Sequence, residues 1–317
     1  MAKKIAFINF KGGVGKTTIS VELASRLVYY YNKKILLIDM DPQTNATFYL
    51  MDYDTWEKHA ENGTLKNFFE YYKKGGLTQP VFDLKNIITD DFNINNSIGR
   101  YRPKKLYLIP AHLELMGIEA DLAFEIGRKA GSLSQNEKVE GLKKYYEILH
   151  LLKKALAKVE SDYDYIFFDC PPSIGLLTQN ALVASDGYII PIIPDYLSTI
   201  GIPFLEERIT LMKDLINRAS KSIGIDNEFH GPKRYGIILN RVQIRNGEFV
   251  SPQDIIYTRL IMNKDLSPFI FKSFISESAR VQESAEEHIP VSIRSGSIYA
   301  QSRSQVDEIA KEFLARV

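Results

Sequence analysis

A glycine-rich loop near the start of the chain constrains the fold more than any other feature. It lies between a short apolar run at residues 4–9 and a helical pattern at residues 17–31. Its residues are Lys11, Gly12, Gly13, Val14, Gly15, Lys16, Thr17 and Thr18. Glycines let the backbone curl around an anion with its N–H groups pointing inward, because they carry no side chain. The sequence therefore predicts a strand, a phosphate-binding loop and a helix, in that order.

Two side chains at the end of this loop have the chemistry that a bound phosphate requires. The helix beginning near Lys16 adds the positive end of its dipole, and the Lys16 ammonium would reach the β- and γ-phosphates. The Thr17 hydroxyl would ligate Mg²⁺. The standard pattern G-x-x-x-x-G-K-[ST] has glycine where this chain has Phe10. The placement of the loop between a strand and a helix still favours phosphate binding over an incidental glycine-rich turn.

Apolar runs and helical patterns alternate along the rest of the chain. Further strands are predicted at residues 34–39, 105–110, 165–169, 188–193, 235–240 and 269–274, and helices at residues 142–159, 175–184, 202–220, 252–262 and 305–314. This alternation predicts an α/β fold with a doubly wound, mostly parallel sheet and helices on both faces. Pro191 interrupts the run at residues 188–193, so that run either is not a regular strand or lies near an edge of the sheet.

The length of the chain suits one large domain, residues 1–317. Residues 52–102 break the alternation because they are rich in Asn, Lys, Asp and Tyr. We interpret this segment as an insertion after the second strand, partly helical around residues 65–72. Residues 127–139 are polar enough to form a loop or linker.

Acidic residues stand at the ends of two predicted strands. Asp39 and Asp41 follow the second strand, and Asp169 ends the apolar run at residues 165–169. The carboxyl ends of parallel strands converge on the ligand crevice, so these carboxylates should lie beside the phosphate loop. Asp169 would hold Mg²⁺ through water, and one carboxylate of the first pair could orient an attacking water. A simpler alternative is an aspartate that only caps the turn before Pro42.

Composition limits the possible partners and compartments. The formal net charge is +1 and the pI is about 7.7, so any nucleic-acid binding needs a local basic patch. The single cysteine, Cys170, excludes a disulfide framework and fits a reducing cytosol. The start of the chain does not resemble a signal peptide, and no apolar run approaches the roughly 20 residues of a membrane span. We therefore expect a cytoplasmic protein.

Together these motifs resemble those of the ParA/MinD family of deviant Walker A P-loop ATPases. The chain carries K-G-G-V-G-K-T-T at residues 11–18, D-M-D-P-Q at residues 39–43 followed by Asn45, and D-C-P-P at residues 169–172. The resemblance covers most of the chain outside the segment 52–102. Within the family, the chain is most similar to a small ParA partition protein.

The resemblance implies an enzyme that hydrolyses ATP with Mg²⁺ and acts as a sandwich homodimer. Lys11, the additional lysine that distinguishes the family, would reach across to the ATP of the partner subunit. Asp41 would position the hydrolytic water, and Asp39 would assist near the metal. Asn240 and Arg241 fall where the family contacts adenine.

The resemblance also implies a function in partitioning or positioning DNA or another cargo. The ATP-bound dimer would bind nonspecific double-stranded DNA of the nucleoid, and a ParB-like or adaptor partner would stimulate hydrolysis. Arg280 and Lys272 are the candidate DNA contacts. No basic stripe is visible around them, because residues 270–317 contain six Lys/Arg and seven Asp/Glu. These arginines and lysines could equally be solvated surface residues.

The alternative within the family is a MinD-like membrane-associated spatial regulator. That class ends in a basic amphipathic helix that lies in the lipid interface. Residues 306–317 are amphipathic here, but three acidic residues oppose two basic ones. We therefore expect the last helix to dock on the body of the protein, and we expect no membrane partner.

Overall fold

Seven parallel strands form one sheet in the described part of the chain. The computed structural model describes residues 1–92, 95, 105–131 and 134–317. The strands are β1 (Lys3–Phe7), β2 (Ile35–Asp39), β3 (Leu106–Ile109), β4 (Tyr165–Asp169), β5 (Gly187–Ile192), β6 (Lys233–Val242), β7 (Ile244–Arg245), β8 (Glu248–Phe249) and β9 (Ile270–Ser276). The order across the sheet is β3-β2-β4-β1-β5-β6-β9, and β7 pairs with β8 in a separate hairpin.

Helices precede, follow or connect these strands. They are α1 (Lys16–Tyr31), α2 (Asn45–Leu50), α3 (Tyr53–Ala60), α4 (Leu65–Gly75), α5 (Leu115–Ala130), α6 (Gln135–Leu149), α7 (Leu151–Leu156), α8 (Leu176–Ala184), α9 (Tyr196–Ser222), α10 (Ser251–Met262), α11 (Ala279–Glu286) and α12 (Ala300–Arg316). Since helices connect the parallel strands, the carboxyl ends of all seven strands lie at one edge of the sheet.

Both faces of the sheet are covered by helices. Every residue of β2 and β4 is buried, as expected for parallel strands with apolar neighbours on both sides. Successive side chains of a strand point to opposite faces. Accordingly, Ile5 and Phe7 of β1 belong to one apolar core, whereas Ala6 and Ile8 belong to the other. The predicted doubly wound α/β fold is therefore confirmed.

The last helix, α12, docks on the face of the sheet that carries Phe7. Its apolar side chains Val306, Ile309 and Phe313 are buried in that core. The Phe313 ring lies 5.6 Å from the ring of Phe167 on β4. The expected docked helix is confirmed, and it is longer than predicted. Within the described ranges, no helix combines the length and the apolar character needed to span a membrane.

The prediction of a loop or linker at residues 127–139 is wrong. α5 continues to Ala130 and α6 begins at Gln135, so only a short connection separates the two helices. The described polar residues of this stretch lie at the ends of two helices that pack against each other, and most of them are exposed. The predicted helix at residues 142–159 is in fact two helices, α6 and α7, with a break at His150.

The edge position considered for residues 188–193 is also wrong, because β5 lies between β1 and β6. The register of β1 against β5 ends at Phe7 and Ile189. Pro191 lies beyond that last pair, so its missing N–H does not interrupt the ladder to β1. The Pro191 carbonyl instead accepts a hydrogen bond from Asn9 Nδ2 at 2.8 Å.

The segment after β2 contributes to the core instead of projecting from it. α4 covers the helix expected around residues 65–72, and its Leu65, Phe68 and Phe69 are buried in the larger of the two cores. On α3, Trp56 donates from Nε1 to the carbonyl of Ala111 at 3.1 Å. Residues 93–94 and 96–104, which include the end of this segment, lie outside the described residues.

Candidate nucleotide-binding site

The glycine-rich loop has a curled conformation at the carboxyl end of β1. Gly13 and Gly15 have φ angles of 73° and 92°, in the region that favours glycine. Asn240 of β6 donates from Nδ2 to the carbonyl of Val14 at 2.9 Å. A Cβ atom on Gly15 would lie 1.8 Å from Asn240 Nδ2, so glycine is required for this close approach. Asn240 of β6 therefore packs against the loop and stabilises its conformation.

Lys16, the first residue of α1, is directed into this loop. Its ammonium donates to the carbonyl of Lys11 at 3.3 Å, and the side chain is almost fully buried. Burial lowers the pKa of Lys16, while the nearby carboxylates of Asp169 and Asp41 act in the opposite direction. A buried ammonium beside the backbone amides of a helix N-terminus is suited to an anionic ligand.

Lys11, the first residue of the loop, is bound by two residues of its own chain. Its backbone N–H donates to Asn9 Oδ1 at 2.9 Å, and its ammonium forms an ion pair with Asp195. Asp195 is also the N-cap of α9, since its Oδ1 accepts from the backbone N of Ser198 at 2.9 Å. The side chain of Lys11 remains about one-third exposed, at 36%.

Asp169 ends β4, is fully buried and interacts electrostatically with Lys16. Thr17 Oγ1 donates to its Oδ2 at 2.7 Å, and Ser20 Oγ donates to its Oδ1 at 3.2 Å. Burial raises the pKa of Asp169 to about 7, against the lowering effects of Thr17 and Lys16. A threonine hydroxyl and a carboxylate in contact form an oxygen pair that suits Mg²⁺.

Asp39 lies beside Asp169 in the sheet register but is turned toward the loop that follows it. Its Oδ1 accepts from the backbone N of Asp41 at 3.1 Å. Its Oδ2 accepts from the backbone N and the hydroxyl of Thr47, at 2.8 and 2.7 Å. Burial and the neighbouring Asp169 raise the pKa of Asp39. Its hydrogen bonds hold Asp41 and the start of α2 in place.

These elements surround one cavity of about 610 Å³. The glycine-rich loop forms one wall, Asp41 and the residues of α2 form a second, and Val281 and Gln282 of α11 belong to a third. A smaller cavity of about 180 Å³ adjoins it beside Asn240 and Arg241, and it shares part of the loop and of α11. The volumes suit a nucleotide with its phosphates in the larger cavity.

The two candidate DNA contacts lie on different elements. Arg280 is in the first turn of α11, where its Nη1 donates to both carboxylate oxygens of Glu283 at 2.7 Å. Lys272 is an exposed residue of β9, and its backbone N donates to Glu312 Oε1 at 3.0 Å. Arg241, a candidate adenine contact, pairs with Glu277 at 3.0 Å.

Comparison with known proteins identifies the family. A family model described as an AAA domain matches residues 2–222. The sporulation initiation inhibitor protein Soj of Bacillus subtilis is 36% identical over 217 residues, which is 68% of each chain. The chromosome-partitioning ATPase Soj of Treponema pallidum is 32% identical over 225 residues, covering 71% of this chain and 70% of that relative. The chain belongs to the ParA/MinD family of P-loop ATPases.

Solved structures have the same fold as this ParA/MinD-family chain. The ATP complex of a single-residue variant of Cyanothece McdA has a TM-score of 0.66 at 18% identity and covers 100% of this chain and 97% of that one. A plasmid partition protein of Borrelia burgdorferi bound to AMPPNP has a TM-score of 0.59 at 22% identity, with both chains covered completely.

The motifs of the ParA/MinD family did not identify every side chain of the site. Asp195 follows the end of β5, so the same strand-end argument that selected Asp169 could have identified it. Asn9 likewise follows the carboxyl end of a strand, β1, so the same argument could have identified it. No local sequence pattern indicates that α11 contributes to the cavity, because at least 261 residues separate it from the glycine-rich loop (279 − 18).

Proposed function

We propose that this chain is an ATP-dependent, dimerising ATPase switch that partitions or positions DNA or another cargo through nonspecific binding to nucleoid DNA. One observation carries the proposal: Lys16, Thr17 and Asp41 line a cavity of nucleotide size, and the buried Asp169 accepts a hydrogen bond from Thr17. Family membership supports it, since relatives include a chromosome-partitioning ATPase and a ParA family protein of a virulence plasmid.

ATP is the proposed ligand of the two adjoining cavities. The loop from Lys11 to Thr18 would bind the phosphates through backbone N–H groups, and Lys16 would contact the β- and γ-phosphates. Asn240 and Arg241 border the smaller cavity, where the adenine would lie. The left-handed backbone at Gly13 and Gly15 fits this ligand, because it turns the loop around an open space.

Thr17 and Asp169 would hold Mg²⁺, with Asp39 as a helper beside them. The hydroxyl and the carboxylate already lie in contact, so Thr17 would ligate the cation directly and Asp169 would hold it through water. When bound, Mg²⁺ neutralises charge on the phosphates during phosphoryl transfer. Asp39 would contribute from its position next to Asp169, through the loop that it holds.

Asp41 would orient the attacking water. Its Oδ1 accepts from the backbone N of Gln43 at 2.9 Å, and this bond fixes the direction of the carboxylate in the cavity wall. In phosphoryl transfer the protein mainly positions groups and stabilises charge, so a fixed carboxylate at this point is the expected contribution.

Dimerisation would bring Lys11 to the ATP of a second copy. In the single chain Lys11 pairs with Asp195, so this ion pair would have to break as the dimer forms. Large apolar side chains beside the pair are exposed at the start of α9: Tyr196, Leu197, Ile200 and Phe204. An exposed apolar cluster of this kind marks an interaction surface, and a second copy would cover it.

Light scattering of the purified protein tests the dimer. The Asp41→Ala variant should remain monomeric with ADP and become dimeric with ATP and Mg²⁺, because it would bind ATP without consuming it. The double variant Lys11→Ala/Asp41→Ala should bind ATP and stay monomeric. A monomer of the single variant at saturating ATP would refute the nucleotide-dependent dimer.

The DNA-binding surface is assigned to α11 and β9 through Arg280 and Lys272. Contacts to phosphates would make the binding nonspecific and sensitive to salt. A ParB-like or adaptor partner would stimulate hydrolysis and so release the dimer from DNA. A MinD-like membrane function is disfavoured, because the apolar face of α12 is buried in the core and cannot also insert into lipid.

A further inference from the structure

α2 connects the catalytic end of the cavity to the rest of the protein. It begins four residues after Asp41, and its Asn45, Phe48 and Tyr49 line the cavity together with Asp41. α2 therefore follows directly on the loop that carries Asp41 and shares a wall of the cavity with it.

A fully buried carboxyl group, Glu22 of α1, lies behind α2. Its Oε1 accepts from the Tyr49 hydroxyl at 2.7 Å and from the backbone N of Val291 at 2.9 Å. Its Oε2 accepts from the backbone N of Ser292 at 2.8 Å. A buried carboxyl group is costly unless donors satisfy it, so these three bonds fix the relative positions of α1, α2 and residues 291–292.

A second connection joins α2 to the end of α11. Nδ1 of His288 lies 2.7 Å from the carbonyl of Phe48, and this nitrogen must be the donor because a carbonyl only accepts. His288 has a φ of 56°, an uncommon conformation for a residue with a side chain. The Tyr49 hydroxyl also approaches the carbonyl of Val281, at 3.4 Å. α2 is thus connected to both ends of α11.

α11 has one side on the cavity and carries a candidate DNA contact. Val281, Gln282 and Ala285 line the cavity opposite the glycine-rich loop. Arg280, next to Val281, is partly exposed and paired with Glu283. The helix between the nucleotide and the proposed DNA surface is therefore the one that α2 contacts.

We propose that Glu22, Tyr49 and His288 are positioning residues that couple the Asp41 end of the cavity to residues 279–293. The three side chains make α2 and this segment move as one unit. A γ-phosphate beside Asp41 then sets the position of the helix that carries Arg280. The output, DNA binding, rests on the proposed function, but the coupling itself is a property of the chain.

Tyr49→Phe tests the coupling, since it removes only the hydroxyl from a side chain that stays packed. Tyr53→Phe, on the exposed surface of α3, is the matched control. Hydrogen–deuterium exchange of residues 279–293 is measured with and without a non-hydrolysable ATP analogue and Mg²⁺, after each variant is saturated by its own titration. We expect the analogue to slow exchange of this segment in the wild type and in the control. In Tyr49→Phe the factor by which the analogue slows exchange should be about fivefold smaller.

His288→Gly provides an independent variant. Glycine adopts a φ of 56° without strain, so the change removes the bond to Phe48 and introduces no steric strain in the backbone. It should reduce the effect of the analogue in the same direction. Two results would overturn the coupling. The analogue slows exchange in both variants as much as in the wild type, or it does not change exchange of residues 279–293 in the wild type.

DNA binding separates the two proposals. If the wild type binds DNA with ATP, we compare its DNA affinity in ATP with that in ADP. The ratio of these two affinities should be about fivefold smaller in both variants than in the wild type. Variants with the full wild-type ratio would refute the coupling alone. If the wild type does not bind DNA with ATP, the proposed function fails, and the exchange experiment still decides the coupling.

Discussion

Lys16 is a cation enclosed by the loop that would hold the phosphates. Its replacement by alanine removes the only side chain that we assign to the β- and γ-phosphates. We expect Lys16→Ala to weaken ATP binding by on the order of a hundredfold, the effect of losing a charged hydrogen-bond partner. Titration with a fluorescent ATP analogue measures this, with Lys58→Ala on the exposed surface of α3 as the control. Binding within threefold of the wild type would exclude Lys16 from the site.

Asp41→Ala should differ from Lys16→Ala, because the role proposed for Asp41 is in hydrolysis and not in ATP binding. Asp41→Ala should bind ATP with near wild-type affinity, while its turnover falls by about 10² to 10⁴, the range for the loss of a positioned base. A phosphate-release assay under saturating ATP gives the turnover. Asp54→Ala, an exposed substitution on α3, should hydrolyse ATP at the wild-type rate. Fast turnover of Asp41→Ala would remove Asp41 from the hydrolytic role.

At the level of residues, the sequence predicted what short motifs determine and missed what distant contacts determine. The structure brings together Lys16, Thr17, Asp41 and Asp169 because strand ends in a parallel sheet must converge. Glu22 was missed because its main-chain donors lie 269 and 270 residues away. Nothing in the helical pattern of α1 distinguishes a buried carboxyl group from a solvated one.

Among the elements, α12 is held by the packing of its apolar face. Phe313 is fully buried between α12 and β4, so Phe313→Ala should destabilise the fold by about 3–5 kcal/mol, the cost of removing a core aromatic ring. Phe124→Ala, on the exposed side of α5, should change stability by less than about 0.5 kcal/mol. Urea unfolding of both variants checks the difference. Similar stabilities would contradict the docking of α12.

The DNA-binding role proposed for α11 can be tested separately from the chemistry of the cavity. Arg280→Glu replaces a partly exposed cation with an anion, so it should weaken DNA binding at least about tenfold. ATPase activity without DNA should persist, since Arg280 does not line the cavity. The comparison is made by DNA titration and phosphate release on the same preparation, and Arg128→Glu on α5 is the control. Unchanged DNA affinity would show that Arg280 does not contact DNA.

Element prediction worked where burial imposed a pattern and failed where one side of a helix faces solvent. β2 and β4 are wholly buried, so their apolar runs were unambiguous. α5 was not predicted because only Leu115, Ile118 and Leu122 of its described residues are buried. Pro191 wrongly indicated an edge strand. It is tolerated in a central strand because it lies beyond the last residue pair between β1 and β5, and the register of these two strands cannot be read from the sequence.

On the scale of the whole molecule, we propose that residues 1–317 form a single P-loop ATPase domain with an insertion at about residues 52–102. One sheet supports both apolar cores, and each core combines residues that lie far apart in the sequence, from Ala2 to Ile270 in one and from Ile5 to Phe313 in the other. α3 and α4 from the proposed insertion pack into these cores. The insertion would therefore stabilise the domain and not form a separate unit.

The central claim is that ATP turns on DNA binding by this domain. Titration of two unrelated DNA duplexes with the protein, in ATP, ADP or no nucleotide and at about 50 and 200 mM salt, tests it directly. We predict binding with ATP that is equal for both sequences and about tenfold weaker with ADP. At the higher salt the affinity should fall about a hundredfold, because Arg280 and Lys272 of both subunits would together release about four counterions. Equal affinity in all nucleotide states, or no binding with ATP at the lower salt, would contradict the account.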